Sequence, residues 1–363
     1  MMKIALIIFL LVHGSLHFMG LAKAYGVDRF ESSMRTISKP IGMIWAGVGL
    51  LFIAAALMLF LHMEGWPTIA LAAGIISQIL IFTNWKAAKF GTLANIIIVL
   101  VAIVGIGTQQ FENSYRKAVL SSMKNMHDLN GLISEKDLEP LPAVVQKYLN
   151  YVGVVGKPKI YNVKIAFEGE MRDKGQDWFP FSSEQYNFFD VPTRLFFMKA
   201  KVKGVPTYGF HAYSKSGAGM RVKLLALYPV VDIDGPEMVS AETVTYFNDL
   251  CLFAPAALID KRIQWETIDS LSVKATFNTN NVSISAILHF NEVGQLVLFV
   301  SNDRLSVSEM KTFPFSTPAK NYKNINGYNL PTYGETIWHY PDGEFVYGKF
   351  NLKSIQYNVS DEP

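Results

Sequence analysis

The sequence predicts an α-helical membrane domain of four transmembrane helices, followed by an α+β domain. The second part reads as a large antiparallel, curved, half-barrel-like sheet with a few helices packed on it. Three observations carry this. Four apolar runs, at about 4–22, 41–62, 67–83 and 92–109, contain no Asp, Glu, Lys or Arg and approach the ~20 residues a spanning helix needs. From residue 159 the apolar period changes from 3.6 to 2, the mark of half-buried strands. Short turn signals separate those strands, as in a meander of antiparallel neighbours.

Each element has its own signal. Trp66 and Trp85 sit at the ends of apolar runs and Trp45 just inside one, where interfacial aromatics belong. Lys23, Arg29, Arg35, Lys39, Lys86 and Lys89 flank one side of the four runs, against Lys3, Arg116 and Lys117 on the other. The excess of positive charge marks the cytoplasmic side, so the N-terminus and the long C-terminal part are expected to be extracytoplasmic. A competing reading takes Ala22-Lys23-Ala24 as a signal-peptide cleavage site. Cleavage there would leave three spans and strand Arg29, Arg35 and Lys39 outside, against the charge bias.

The expected organisation is a membrane domain over 1–110, an amphipathic stalk and linker over 111–139, and an extracytoplasmic β-rich domain over 140–363. Phe111, Tyr115, Val119, Met123 and Met126 continue a helical spacing past the fourth run, until Asn130-Gly131 breaks it. Ser134-x-x-Asp137 approximates a helix start, though Pro140 follows closely. A helix near 141–152 carries the stripe Leu141, Val144, Val145, Tyr148, Leu149 and Val152, with Gly153 ending it. Strands then alternate: Tyr161, Val163, Ile165 and Phe167 on one face, Met198, Ala200 and Val202 against three lysines, and Val282 to Phe290 with His289 opposite. Turns are read at Asn278–Asn281, Glu292-Val293-Gly294, Asn326-Gly327 and Pro341-Asp342-Gly343. One helical insertion, near 237–260, carries Pro255, which should kink or divide it.

Charge narrows the function classes. The net charge is +3, and residues 110–363 hold 26 Lys/Arg against 27 Asp/Glu, which argues against a nucleic-acid footprint. The lone cysteine, Cys251, excludes an intrachain disulfide and lies in an apolar context that reads as packing. No G-x-S-x-G, H-E-x-x-H, P-loop, G-x-G-x-x-G or paired C-x-x-C occurs, so no metal or cofactor is expected. Asp232 and Asp234 in "VDIDG", with Glu237 and Glu242 beyond, fail the twelve-residue calcium spacing. His127, His211, His289 and His339 are scattered singly; a folded triad or carboxylate pair stays open, with nothing selecting one.

Two features invite a binding reading. Residues 140–363 hold 34 aromatics, clustered in "WFPFSSEQYNFF" and "RLFF". They either fill a core or line a concave face able to hold an apolar ligand such as a lipid chain. For that face Trp178, Phe179, Phe181, Tyr186, Phe188 and Trp338 are the candidates, and strand parity allows only some of them to point inward. The second feature is His13 and His17, four apart in "LVHGSLHFMG", hence on one helix face. Counting depth from helix ends pairs His13 with Gln78 and His17 with Asn95, as hydrogen-bonded packing between membrane helices. A proton relay would need carboxylates that these runs lack. Bis-histidine haem would need a facing His, and His62 lies about three turns too high.

The chain resembles an uncharacterised bacterial membrane-protein family of unknown function. The matching stretches are "HGSLHFMGLAKAYG", "NWKAAKFGTLANIII", "WFPFSSEQ", "YFNDLCLFAPAALI", "SNDR" and "YGETIWHYPDGEFVYGKF". That resemblance implies no activity. The hairpin "INGYNLPTYGETIWHY" and the sheet with inserted helices resemble the lipoprotein-carrier (LolA-like) superfamily, which implies an acyl-chain site and no catalytic residues. The expected function is a membrane-tethered, extracytoplasmic, non-catalytic binding protein for a lipid, lipoprotein or other apolar ligand in the bacterial envelope, with the lipid bilayer and that lipid or lipoprotein as the expected partners and no protein partner singled out. The alternatives are a protein-interaction or scaffold module and a hydrolase-like enzyme, which a deep polar pocket with a bonded His–carboxylate pair would favour.

Overall fold

A computed structural model describes residues 2–27, 37–124, 131–279 and 281–360. Arg29, Arg35, Met126, His127 and Asn130 lie outside the described residues. The chain divides into two compact units, Met1–Phe111 and Glu112–Pro363.

The first unit is helical: α1 (Met2–Leu16), α2 (Phe18–Ala24), α3 (Lys39–Phe60), α4 (Trp66–Thr83), the short α5 (Trp85–Ala88) and the start of α6 (Gly91–Lys124). Among the described residues, four segments are long and apolar enough to cross a membrane: Lys3–Ala24, Lys39–Phe60, Trp66–Thr83 and Gly91–Lys124. The first three match the expected runs to within two residues at each end, and the last runs fifteen residues further. At ~1.5 Å per residue α6 is about 50 Å long, well beyond the ~30 Å hydrocarbon core. Small residues let helices approach: a Cβ on Gly49 would sit 2.7 Å from the Gly14 carbonyl oxygen, the close contact that stabilises membrane helix pairs.

In the second unit, the Ser134–Asp137 capping box opens α7 (Glu135–Leu138), a single turn that ends before Pro140. The apolar stripe of α8 (Ala143–Val152) is buried, and Gly153 ends the helix at φ 85°. Thirteen antiparallel strands follow in one sheet. They are β1 (Asn162–Met171), β2 (Phe179–Phe188), β3 (Thr193–Val202), β4 (Val205–Ser214), β5 (Gly217–Leu224), β6 (Tyr228–Asp234), β7 (Ile263–Thr267), β8 (Ser272–Thr279), β9 (Val282–Phe290), β10 (Leu296–Ser306), β11 (Lys311–Ile325), β12 (Tyr328–Tyr340) and β13 (Gly343–Tyr357).

The strand order is β6-β5-β4-β3-β2-β1-β13-β12-β11-β10-β9-β8-β7. The first six strands therefore step outward to one edge, and the last seven return from the other edge to meet β1. One helix, α9 (Pro236–Phe253), links the two edges, and Pro255 then opens a 3-10 turn, Pro255–Ile259. Because α9 packs against strands of both halves, the sheet curls around it as a half-barrel. A helix so enclosed is buried on nearly every side, and twelve of its residues are. The last turns of α6 cover the outer face: Tyr115 stacks on Phe197 at 5.3 Å and Glu112 pairs with Lys199 at 2.7 Å.

Candidate functional site

Between α9 and the inner face of the sheet lies a cavity of about 150 Å³. Its walls are apolar: Phe167, Met198, Leu252, Phe253 and Phe350 contribute from β1, β3, α9 and β13. One end is charged. Glu242, Thr245, Asn248, Asp249 and Leu252 all line it, because steps of three and four place them on one side of α9.

Arg194 of β3 organises that end. Its Nε donates to Asp249 Oδ2 at 2.7 Å, Nη1 to Glu242 Oε2 at 3.2 Å and Nη2 to Gln185 Oε1 at 3.4 Å. Asp249 Oδ2 also accepts from Gln185 at 2.9 Å and Asn187 at 3.3 Å. His211 Nδ1 lies 3.1 Å from Glu242 Oε1, so the carboxylate accepts the Nδ1 proton. Arg194, Glu242 and Asp249 are all at least nine-tenths buried. Burial alone would raise the Glu242 carboxyl. The His211 hydrogen bond and the charges of His211, Arg194 and Arg304 outweigh it, holding the group down at about 2. Burial likewise acts to lower Arg194, and the charges of Asp249 and Glu242 carry it above its ordinary value instead. This end is thus an ion-pair network whose members need one another.

Arg304 stands apart on β10. Its guanidinium carbon lies 4.1 Å from the Phe315 ring centre, 5.1 Å from Trp338 and 5.8 Å from Tyr347. Nη1 donates to the Tyr347 hydroxyl at 2.6 Å. Asn248 donates through Nδ2 to Thr317 at 3.1 Å, while its Oδ1 is buried without a partner.

The aromatic candidates surround this cavity rather than line it. Gln185 and Asn187 point to α9, so Tyr186 and Phe188 face outward with Glu184, which accepts the Tyr115 hydroxyl at 3.3 Å. Phe181 is buried one ring behind the wall, 4.9 Å from Phe350, and Trp338 lies 5.4 Å from Phe315. Phe179 is half-buried at the start of β2, and Trp178 lies between Arg172 and Lys349, at 4.4 and 4.2 Å. Parity and the depth of α9 account for the difference: strand aromatics divide between two faces, and the helix supplies the cavity's polar end.

The scattered histidines also find places. His289 meets Ser272 at 2.9 Å, and His339 meets Ser316 at 2.8 Å. Asp232 is exposed beside Arg221, and among the described residues no group of three or more His, Cys, Asp or Glu side chains could hold a metal. Arg194, Asp249 and Arg304 are not among the residues expected at a site. The available signal was Glu242 and Asp249, two turns apart on the helix, where acids that become buried must find a cation.

His13 and His17 in the apolar helices join one network with different pairings from those expected. His13 Nε2 meets Asn95 Oδ1 at 2.9 Å, and His17 Nε2 meets Ser77 Oγ at 2.8 Å. Asn95 Nδ2 reaches both Ser77, at 3.0 Å, and Gln78, at 3.1 Å. Depth counted from helix ends slips by about a turn, and the small hydroxyl of Ser77 takes the place assigned to an amide.

Residues 131–350 match the model of a family described as a family of unknown function, DUF6544. No curated protein matches the sequence. Among solved structures, the chain is similar to a domain from Vibrio parahaemolyticus named for outer membrane lipoprotein sorting. Identity is 10%, 55% of this chain and 87% of that one are covered, and the TM-score is 0.34. It is also similar to a LolA superfamily protein from Nitrosomonas europaea, with 12% identity, coverage of 60% and 93%, and a TM-score of 0.32.

Proposed function

We propose that this chain, which belongs to the DUF6544 family of unknown function, is a membrane-tethered binding protein for a lipid or other amphipathic ligand. The observation that carries the reading is the cavity under α9, with its apolar walls and one charged, hydrogen-bonded end. Ligand sites are commonly apolar with a few convergent polar groups that fix orientation. At about 150 Å³ the space suits a short segment of chain rather than a whole lipid, so most of a long chain would extend from its mouth. The family-like stretches support the same place: Gln185 of "WFPFSSEQ", Asn248 and Asp249 of "YFNDLCLFAPAALI", Arg304 of "SNDR" and Tyr347 of the last stretch all line it. The four apolar helices would hold the module at a membrane, and the excess of flanking positive charge at one side supports an extracytoplasmic position.

The test is native mass spectrometry of the full chain extracted with its membrane lipids, beside an Ala319→Phe variant that fills the cavity from β11. A bound lipid-class mass present in the wild type and missing from the variant is expected. The same mass on both, or on neither, contradicts the reading.

The His211–Glu242 pair at 3.1 Å favours a second reading, acid–base chemistry on the bound ligand. If that reading holds, His211→Gln accumulates an intact ligand that the wild type converts. If binding alone operates, both proteins carry the same mass.

A further inference from the structure

The charged end of the cavity is nearly closed electrically, with one exception. Arg194 directs its three nitrogens at Asp249, Glu242 and Gln185, and His211 completes Glu242. Arg304 lines the same cavity. Among the described residues its one side-chain hydrogen bond is to a neutral phenol, Tyr347, and Glu242 feels its charge only at longer range.

The local sequence builds this arrangement. In the β10–β11 pairing Ser301 faces Phe315 and Arg304 faces Phe313, so β10 carries one extra residue between them. Such a bulge turns the following side chain to the opposite face, here toward the cavity. "SNDR" supplies the pins. Ser301 Oγ donates to the Ser285 carbonyl at 2.7 Å, and Asp303 Oδ2 accepts the Ser285 backbone N–H at 2.7 Å. The neighbouring carboxylate is therefore tied to β9. The Phe315, Trp338 and Tyr347 rings surround the guanidinium and the Tyr347 hydroxyl accepts from Nη1, leaving Nε and Nη2, whose paired N–H groups match a carboxylate or phosphate in two-point contact. Asn248, 7% exposed, lies in the same wall, and its carbonyl oxygen is buried without a partner.

We propose that Arg304 is the head-group anchor of this cavity and that its ligand is an amphipathic anion, with a carboxylate or phosphate on Arg304 and an apolar part against Phe167, Phe253 and Phe350. This rests on the binding reading above and names its ligand class.

The experiment is equilibrium binding to the full chain in amphipol, with octanoate, octyl phosphate, octan-1-ol and inorganic phosphate as probes. Wild type and Arg304→Met are compared, with Arg304→Lys as a variant that keeps the charge but not the fork. Octanoate or octyl phosphate should bind on the order of tenfold or more tighter than octan-1-ol, as charge-assisted contacts allow. Arg304→Met should erase that preference, with octan-1-ol still binding, which also shows the cavity to be intact, and Arg304→Lys should retain part of the preference. Octan-1-ol binding as tightly as both anions, or anion binding indifferent to Arg304→Met, overturns the proposal and leaves the binding reading standing. Inorganic phosphate binding as well as octyl phosphate overturns it too, because the ligand is then a free anion. If no probe carrying an octyl chain binds, the binding reading itself fails.

Discussion

Replacing Arg194 with Met keeps most of the stem and removes the charge on which two buried carboxylates depend. In the native protein Arg194 sits 2.7 Å from Asp249 and 3.2 Å from Glu242, with all three side chains at or below 10% exposure. Deleting one member of a buried ion pair costs about 3–5 kcal/mol, since the partners stay buried without compensation. At ~1.4 kcal/mol per tenfold, backbone exchange in α9 should quicken by roughly 100- to 3,000-fold at pH 7. Hydrogen exchange read by mass spectrometry on peptides within 236–253 of the full chain measures this directly. The pH dependence has a defined sign. Glu242 is held at about 2, below its ordinary 4.5, so its contribution is complete above about pH 4.5 and is lost as the pH falls toward 2. In the variant Glu242 loses the Arg194 charge that helps hold it down and is neutralised as the pH falls, which relieves the damage. The gap between wild type and variant should therefore narrow from pH 7 to pH 4. A gap that is small at pH 7, or that stays constant or widens on acidification, refutes the reasoning.

Other consequences are more local. Asn95→Leu removes the amide that joins His13, Ser77 and Gln78, and should weaken the helical unit by about 0.6–2 kcal/mol, measured by titration with a denaturing detergent. Gly49→Val places side-chain atoms where a Cβ alone would meet the Gly14 carbonyl oxygen at 2.7 Å; cysteine cross-linking between α1 and α3 should lose efficiency, whereas an unchanged yield contradicts the packing. Burial, and secondarily the Asp249 charge, push the Cys251 thiol well above its usual range, so a maleimide should label it only after denaturation. Tyr148→Phe leaves the Cys251 carbonyl without its 2.7 Å partner and should destabilise the second unit by about 1–3 kcal/mol, seen as a lower denaturant midpoint.

Much of the architecture is legible in the residues because it rests on local patterns. The apolar runs, the stripe from Val144 to Val152, the break at Gly153 and the hairpin at Asn326-Gly327 follow from period and turn chemistry. The last has left-handed φ at both residues, 55° and 85°, as a two-residue hairpin turn requires. The site is less legible because it is assembled over long sequence distances. Arg194 reads as the edge of the aromatic run "RLFF", and Asp249 lies 55 residues away on α9; only the closure of the sheet around that helix joins them. Arg304 is hidden by a bulge, since strict alternation from Ser301 places it on the other face. The same alternation explains the aromatics: Phe181 and Tyr186, five residues apart in β2, belong to opposite faces.

The central claim is that the cavity under α9 receives an amphipathic ligand. A photoreactive octanoate carrying a terminal diazirine, cross-linked to the full chain in its native membrane and mapped by peptide sequencing, tests it most directly. Adducts are expected on the cavity walls contributed by α9, β1 and β13, at residues such as Phe253, Phe167 and Phe350, reduced by excess octanoate and absent from Ala319→Phe. Adducts confined to α1, α3 and α4, or unaffected by the cavity-filling variant, would contradict it.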